Sequence, residues 1–400
     1  MSATCSASRP APSVMTALTP IMVTVLVGFV VIGAALPVLP LHVRDTLGFG
    51  PVMVGVVAGC QFAAALVARL WSGHAADTKG AKWAVMAGLL AATAAGLLYL
   101  MSLSFVSTPT ISVVILLAGR AVLGGAESFI ITGATTWGLV RVGAHNSGKV
   151  IAWMGTAMFA AFAGGAPLGT VLYTNGGFGA VALATAIAPL ATLLLIAPLR
   201  GATPAKKGGP SILSVVSRIW LPGVGAALGS VGFGAIIAFS SLLFVEHGWT
   251  PVWLPFTAYA VALILARLLF GHLPDRIGGA QVALISVLVE TTGLTLMWLA
   301  PSALVAATGA ALTGFGYSLV FPGLGVEAIR LAPPESRGVA MGAYTACLDI
   351  ALGVSGPVLG LIASSAGFGV VFLVSAIVVL SSAVVALKLQ RKALAVIEAR

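Results

Sequence analysis

Ala-Arg-Leu-x-x-Gly-His-x-x-Asp occurs twice in the chain, at Ala68–Asp77 and, 198 positions later, at Ala266–Asp275. A glycine follows each Asp by three residues, Gly80 and Gly278. Each copy closes one long apolar segment and precedes the next. A motif that recurs half a chain away, at the same point in the hydropathy pattern, means that one bundle of segments is present twice.

Composition places that bundle in lipid. Of 400 residues, 59% are hydrophobic and 8% charged, against roughly 25% charged in a soluble domain. The 49 glycines suit helices that pack closely without a hydrophobic drive between them. Cys5, Cys60 and Cys347 share no metal spacing and no disulfide framework. No Gly-x-x-x-x-Gly-Lys-Ser/Thr sequence is present, which excludes a transport ATPase within this chain. Five scattered histidines, none inside a predicted span, argue against a membrane enzyme, which needs clustered nucleophile or metal chemistry. Neither cofactor nor metal is expected.

Stretches of about 20 apolar residues predict twelve spans. The first six lie near 17–41, 51–71, 83–103, 111–138, 150–173 and 177–199; the second six lie near 219–245, 252–270, 282–300, 302–326, 339–363 and 368–388. Residues 1–16 read as a flexible tail, 17–199 and 219–388 as two six-helix bundles, 200–218 as a linker and 389–400 as a second tail. Arg44 lies in the loop after the first span, and the loops near 102–110, 173–177, 246–251, 300–302 and 363–368 carry no Lys or Arg. The opposite side carries Arg9, Lys79, Lys82, Arg141, Lys149, Arg200, Lys206, Lys207, Arg218, Arg276, Arg330, Arg337, Lys388, Arg391, Lys392 and Arg400. Cytoplasmic loops are the basic ones, so both termini and the linker are expected in the cytoplasm, in a multi-pass inner-membrane protein. Bases scattered over separate loops exclude a nucleic-acid patch.

Gly73-His-Ala-Ala-Asp77-Thr-Lys-Gly80-Ala-Lys82 resembles the signature loop of the major facilitator superfamily, Gly-x-Leu-x-Asp-Arg-x-Gly-Arg-Lys. Ala75, Thr78 and Ala81 depart from it. The second copy, Gly271-His-Leu273-Pro-Asp275-Arg276-Ile-Gly278, keeps the Leu and Arg and loses the trailing bases. Arg120 with Gly124 resembles that superfamily's Arg-x-x-x-Gly motif. Gly338 to Tyr344, Asp349, Gly356-Pro357 and Gly119 to Ser128 resemble a bacterial subgroup, the YhhS/YfcJ type of arabinose-efflux-like permeases. The resemblance covers the whole chain. It implies an all-α membrane fold of twelve helices in two pseudo-symmetric bundles, a monomer that moves a small molecule by alternating access.

The two loops are then expected to act as a cytoplasmic gate of Gly73, Asp77, Gly80, Lys82, Gly271, Asp275, Arg276 and Gly278. Small glycines let helices approach, and each Asp could accept from free N–H groups at a helix start in the other half. Asp77 would face the helix beginning near Gly338–Val339, and Asp275 the one near Lys149–Val150. Arg69 and Arg267, two turns earlier, would pair with these carboxylates. A charge at mid-membrane costs roughly 2.5–3.5 kcal/mol on insertion scales and needs a reason. Arg120 and Glu127, seven apart on the fourth span, are expected on one face toward a central cavity, with Glu127 exchanging a proton. Arg120 either meets an anionic substrate group or is occupied by Glu127. Asp349 on the eleventh span serves substrate or proton, and Gln61, Tyr344 and Tyr317 add polar contacts or bond between helices. Glu290 is expected to turn inward to a Thr or Ser, and Glu327 to sit at the surface with Arg330. Gly165, Pro167 and Gly169, with Gly356 and Pro357, permit bends and resemble the exporters' Gly/Pro motif in degenerate form. The function expected is therefore proton-coupled efflux of small polar or amphipathic molecules, with uptake symport or a non-transporting scaffold as alternatives.

Overall fold

The computed structural model describes residues 14–143, 147–199, 201, 212–332 and 337–398; Cys5, Arg9, Arg200, Lys206, Lys207 and Arg400 fall outside them. Lipid offers no partner to a free N–H or C=O, so each apolar stretch satisfies its own backbone as a helix. The elements are α1 (Val14–Ala35), α2 (Leu39–Leu41) running into a π-turn (His42–Thr46), α3 (Pro51–Thr78), α4 (Ala81–Leu103), α5 (Pro109–Val142) and α6 (Ser147–Ile196). The second half repeats the pattern with α7 (Ile212–Glu246), α8 (Leu254–Phe270), α9 (Leu273–Ile277), α10 (Gly279–Trp298), α11 (Ala303–Leu331), α12 (Arg337–Ala366) and α13 (Phe368–Glu398). α6 holds two spans. Non-helical Gly176 and Gly177, the latter at φ +62°, reverse the chain within it. Twelve spans in two bundles result. Helix α7 starts inside the stretch that reads as linker, and α13 runs through most of the stretch that reads as a tail.

The halves repeat contact by contact. A side chain on Gly124 would overlap the Gln61 carbonyl, and one on Gly314 would overlap that of Tyr259. Ser128 Oγ donates to the Ala65 carbonyl at 2.8 Å, and Ser318 Oγ to that of Leu263 at 2.9 Å. Gly133 abuts the Ala81 carbonyl as Gly323 abuts that of Gly279. On α3 and α8 the equivalent residues are 198 apart, as in the duplicated motif; on α5 and α11 they are 190 apart, as are Gly177 and Gly367.

The two motif copies differ in shape for a readable reason. Gly73 to Thr78 continue α3, so the first copy forms helical turns where a loop was expected. In the second copy Pro274 replaces Ala76. Proline lacks the N–H for the preceding turn and crowds its carbonyl, so the helix stops at Phe270 and restarts as α9. Gly80 (φ +103°) and Gly278 (φ +99°) then end the copies in a conformation that other residues rarely adopt.

Across the halves, α3 packs on α12 and α6 on α8. On the side away from the termini these contacts are backbone-close. Gly55 lies against the Gly356 carbonyl, Gly59 against that of Gly353, and Gly360 against Pro51 and Val52. Thr257 donates to the Ala163 carbonyl at 3.2 Å, and the Phe162 and Phe256 rings lie 6.1 Å apart. Toward the termini the helices part: a side chain on Gly73 or Gly342 would meet nothing within 4 Å. The halves are closed at one end and splayed at the other.

Gly165 and Gly169 serve a different contact. They pack on the α1 backbone at Val30 and Ala34, inside the first half, whereas Gly356 joins the halves. Overpacking a core costs typically about 1–3 kcal/mol. Gly124→Val should therefore lower the thermal unfolding midpoint of the purified protein. Gly125→Ala, whose added carbon has Ala68 at 3.8 Å as its nearest neighbour, should leave it unchanged.

Candidate functional site

Between the halves lies a cavity of about 220 Å³. Helices α3, α5, α8 and α12 each give it one charged side chain: Arg69, Glu127, Arg267 and Asp349. Tyr317 and Thr345 also line it, and the rest of the wall is apolar and largely aromatic, including Phe29, Phe159, Phe162 and Phe233.

Arg69 and Asp349 form an ion pair across the halves. Arg69 Nη2 lies 2.7 Å from Asp349 Oδ2, and Nε donates to the same oxygen at 2.8 Å. Arg69 thus pairs with the cavity carboxylate of α12, not with Asp77. Two turns of helix separate Arg69 from Asp77 along α3, and only Arg69 faces the other half where α3 and α12 still touch. Glu127 is held within its own half, where Gln61 Nε2 donates to Oε2 at 2.7 Å. Arg267 Nη2 donates to the Ser318 carbonyl at 3.3 Å, and its guanidinium lies 5.2 Å from the centre of the Phe159 ring. It joins no ion pair with Asp275 among the described residues.

Arg120 and Glu127 are not a pair. Arg120 is wholly buried away from the cavity, its Nε donating to the Val57 carbonyl at 3.2 Å and both Nη atoms without a hydrogen-bond partner among the described residues. The space beside it measures about 10 Å³, room for about one water. Seven residues do place two side chains on one face, but α5 is long, and Arg120 lies at the level where the halves are closed. Tyr344 is also buried off the cavity and donates from its hydroxyl to the Phe321 carbonyl at 2.7 Å. Glu290 is fully buried between α10 and its neighbours at Gly232 and Gly316, and neither oxygen has a hydrogen-bond partner among the described residues. The Thr or Ser expected to meet it is not there. Glu327 pairs with Arg330 at 3.0 Å, yet is itself buried and accepts from the Ala280 amide at 3.3 Å, capping α10. His42 is buried and stacked on Phe178 at 4.2 Å, inside the membrane bundle where no histidine was expected.

The residues expected to form a gate are spread along the splayed end. Asp77, Asp275 and Arg276 are exposed, and none makes a hydrogen bond or ion pair among the described residues. Lys82 instead ties its Nζ to the Ala197 and Leu199 carbonyls, each at 2.6 Å, closing the end of α6 within the first half. Gly73 and Gly271 are free of close contacts with the other half. The side chains of Gly338–Val339, expected to face Asp77, lie outside the described residues. No group of three His, Cys, Asp or Glu capable of holding a metal occurs among those described.

A family model of the Major Facilitator Superfamily matches residues 21–256 and again residues 224–398. The chain belongs to the Major Facilitator Superfamily. It is 42% identical over 357 residues, 89% of this chain and 92% of the relative, to an uncharacterized MFS-type transporter of Salmonella typhimurium. The nucleoside transporter NupG shares its fold at 15% identity, with a TM-score of 0.76 over 93% of this chain and 99% of that one. A bacterial homolog of the human lysosomal transporter Spinster, in an inward-facing and occupied conformation, does so at 12% identity, with a TM-score of 0.75 over 96% and 98%. The family and this relative are transporters, and this superfamily member is a multi-pass membrane transporter.

Breaking one side of a buried ion pair costs typically about 3–5 kcal/mol, because the other charge is left without compensation. Asp349 has 3% of its side chain exposed and Arg69 25%. Arg69→Gln and Asp349→Asn should each destabilise the detergent-purified protein, and the double variant should recover part of the loss. A double-mutant cycle on thermal unfolding reads that coupling directly.

Proposed function

We propose that the chain is a proton-coupled secondary transporter that works by alternating access, with Glu127 as the residue that exchanges the proton. The arrangement of the cavity supports the reading. Arg69 is compensated by Asp349, whereas Glu127 has only a neutral amide partner, Gln61. An amide can bond to either protonation state of a carboxylate, since it both donates and accepts. Gln61 can therefore hold Glu127 in place whether or not the proton is present.

Alternating access follows from the end contacts. Closure on the side away from the termini rests on Gly55 against Gly356 and Gly59 against Gly353, contacts that must part when the molecule opens there. The splayed end carries Asp77 and Asp275, and we assign it to the cytoplasm from the distribution of Lys and Arg. When that end closes, Asp77 and Asp275 are placed to accept from helix starts in the opposite half, the contacts expected of the duplicated motif. Export in exchange for protons is the direction we propose, on the Gly/Pro sequences of α6 and α12. One observation favours a second reading. Two cations and two carboxylates line the cavity, so an entering anion keeps the balance only when Glu127 takes a proton. Anion and proton then move together, as in symport.

Two experiments test these roles. Purified protein in liposomes, screened against sugars, amino acids and toxic amphiphiles under imposed pH gradients, should move at least one class in response to the gradient. Glu127→Gln should lose that response while keeping gradient-independent exchange of the same solute. A variant that still follows the gradient sinks the assignment of Glu127, and the sign of the wild-type response separates export from symport. Gly55→Val should populate the form open on the far side, because a side chain there overlaps the Gly356 carbonyl and removes only the present state. Cysteine labelling from that side, near Pro51, should rise several-fold; unchanged labelling contradicts the assigned closure.

A further inference from the structure

The twofold repeat shows what the cavity lacks. Arg69 and Arg267 are equivalent, 198 apart in the duplicated motif. Asp349, which neutralises Arg69, has its own equivalent 190 positions earlier on α6, and that residue is Phe159. The same geometry therefore recurs with a different occupant. Arg69 meets a carboxylate at 2.7 Å, and Arg267 meets an aromatic ring at 5.2 Å. Glu127 is likewise matched by Tyr317, and Gln61 by Tyr259, so the second half supplies no carboxylate at either position.

Arg267 thus carries a cavity-facing positive charge that joins no ion pair among the described residues. Its one hydrogen bond, to the Ser318 carbonyl at 3.3 Å, uses Nη2. Guanidinium presents five N–H donors in a fork that fits a carboxylate, so donors remain for a ligand. A ring face steadies a cation by about 0.5–2 kcal/mol without neutralising it. Arg120 is the other intramembrane arginine without a carboxylate, but it is sealed behind α3 beside space for about one water. Arg267 is half-buried on the wall of a cavity of about 220 Å³. The remainder of that wall includes Phe29, Phe159, Phe162, Phe233 and Phe321.

We propose that Arg267 is the binding site for the anionic group of the transported molecule, and that this molecule is a monovalent organic acid with an apolar or aromatic body. The ligand's carboxylate takes, against Arg267, the place that Asp349 takes against Arg69, and its body packs on the phenylalanine wall. With Arg69 paired to Asp349 and Glu127 carrying its proton, Arg267 is the one uncompensated cation among the described cavity residues, which sets the charge at one. The wall supplies few polar groups for a sugar-like body. The inference rests on the transporter reading above and names its substrate class.

Full-length purified protein would be titrated with benzoate, phenylacetate and 2-naphthoate, and with the matching primary amides and amines, by isothermal calorimetry and thermal shift. At least one carboxylate should bind about tenfold or more tightly than its amide, the worth of a charge-assisted hydrogen bond. Arg267→Gln should remove that difference, and Arg267→Lys should keep part of it. Phe159→Asp offers a variant that gains an internal pair instead of losing one. It should unfold at the same temperature as wild type or higher and lose carboxylate binding. Amides that bind as well as acids, acid binding that survives Phe159→Asp, or no binding by any acid would each overturn the proposal. Acids that bind through Arg267 yet are not carried into liposomes would overturn the transporter reading and leave the anion site standing.

Discussion

Helix α3 is bound on two faces at once, and the rest of the molecule is arranged around that fact. On one face Gln61 lies against Gly124 of α5 so closely that a single added carbon would overlap it. On another, Gly55 and Gly59 meet Gly356 and Gly353 of α12. In lipid there is little hydrophobic gain from bringing two apolar helices together, so attraction comes from close backbone packing and polar links. The first face holds a half together. The second holds the two halves together at their closed end, and it stops at the Arg69–Asp349 pair, beyond which α3 and α12 part.

Symmetry explains the scaffold, and its breaking explains the site. Gly124 and Gly314, Ser128 and Ser318, Gly133 and Gly323 make the same contacts in each half. These positions set helix spacing, where any change costs packing. The cavity positions are free of that demand and differ: Glu127 is matched by Tyr317, Gln61 by Tyr259, and Asp349 by Phe159 at equivalent places in the repeat. Only the arginine is kept on both sides, as Arg69 and Arg267. An ion pair costs two desolvations and is sustained by its geometry, so replacing one partner by a ring leaves a charge for something else to meet.

Much of this was legible in the residues. Hydropathy marked the spans, and the duplicated motif marked the halves, because both depend on local chain properties. Glu127 and Asp349 stood out because a carboxylate in an apolar run needs a reason wherever it points. Rotation and depth were harder to read. Arg120 and Glu127 share a face, yet one level of α5 lies in the closed end and the next lines the cavity. Arg69 and Arg267 were read as gate residues because they sit beside Asp77 and Asp275 in sequence, while their partners come from α12 and α6, some 280 and 110 positions away. The broken helix at Gly271 had its signal in Pro274, against Ala76 of the other copy. The role of Phe159 had a signal too, in the 190-residue spacing, but reading it required knowing that Asp349 already had a partner.

The inequality of the two motif copies can now be traced to structure. The first copy runs as unbroken helix and ends in Lys82, which is spent on the Ala197 and Leu199 carbonyls of its own half. The second is cut by Pro274 into α8 and a short α9, with Arg276 exposed and the start of α10 capped by Glu327. The first half thus ties down the C-terminal end of α6 with a cation on carbonyls, and the second caps the start of α10 with a carboxylate on an amide. Both ends nonetheless carry bases at their surface, Lys79 in the first half and Arg276 and Arg330 in the second. In the closure proposed above, the meeting of a repeated sequence with itself therefore falls to Asp77 and Asp275, whose carboxylates can accept from helix starts in the opposite half where base against base would repel.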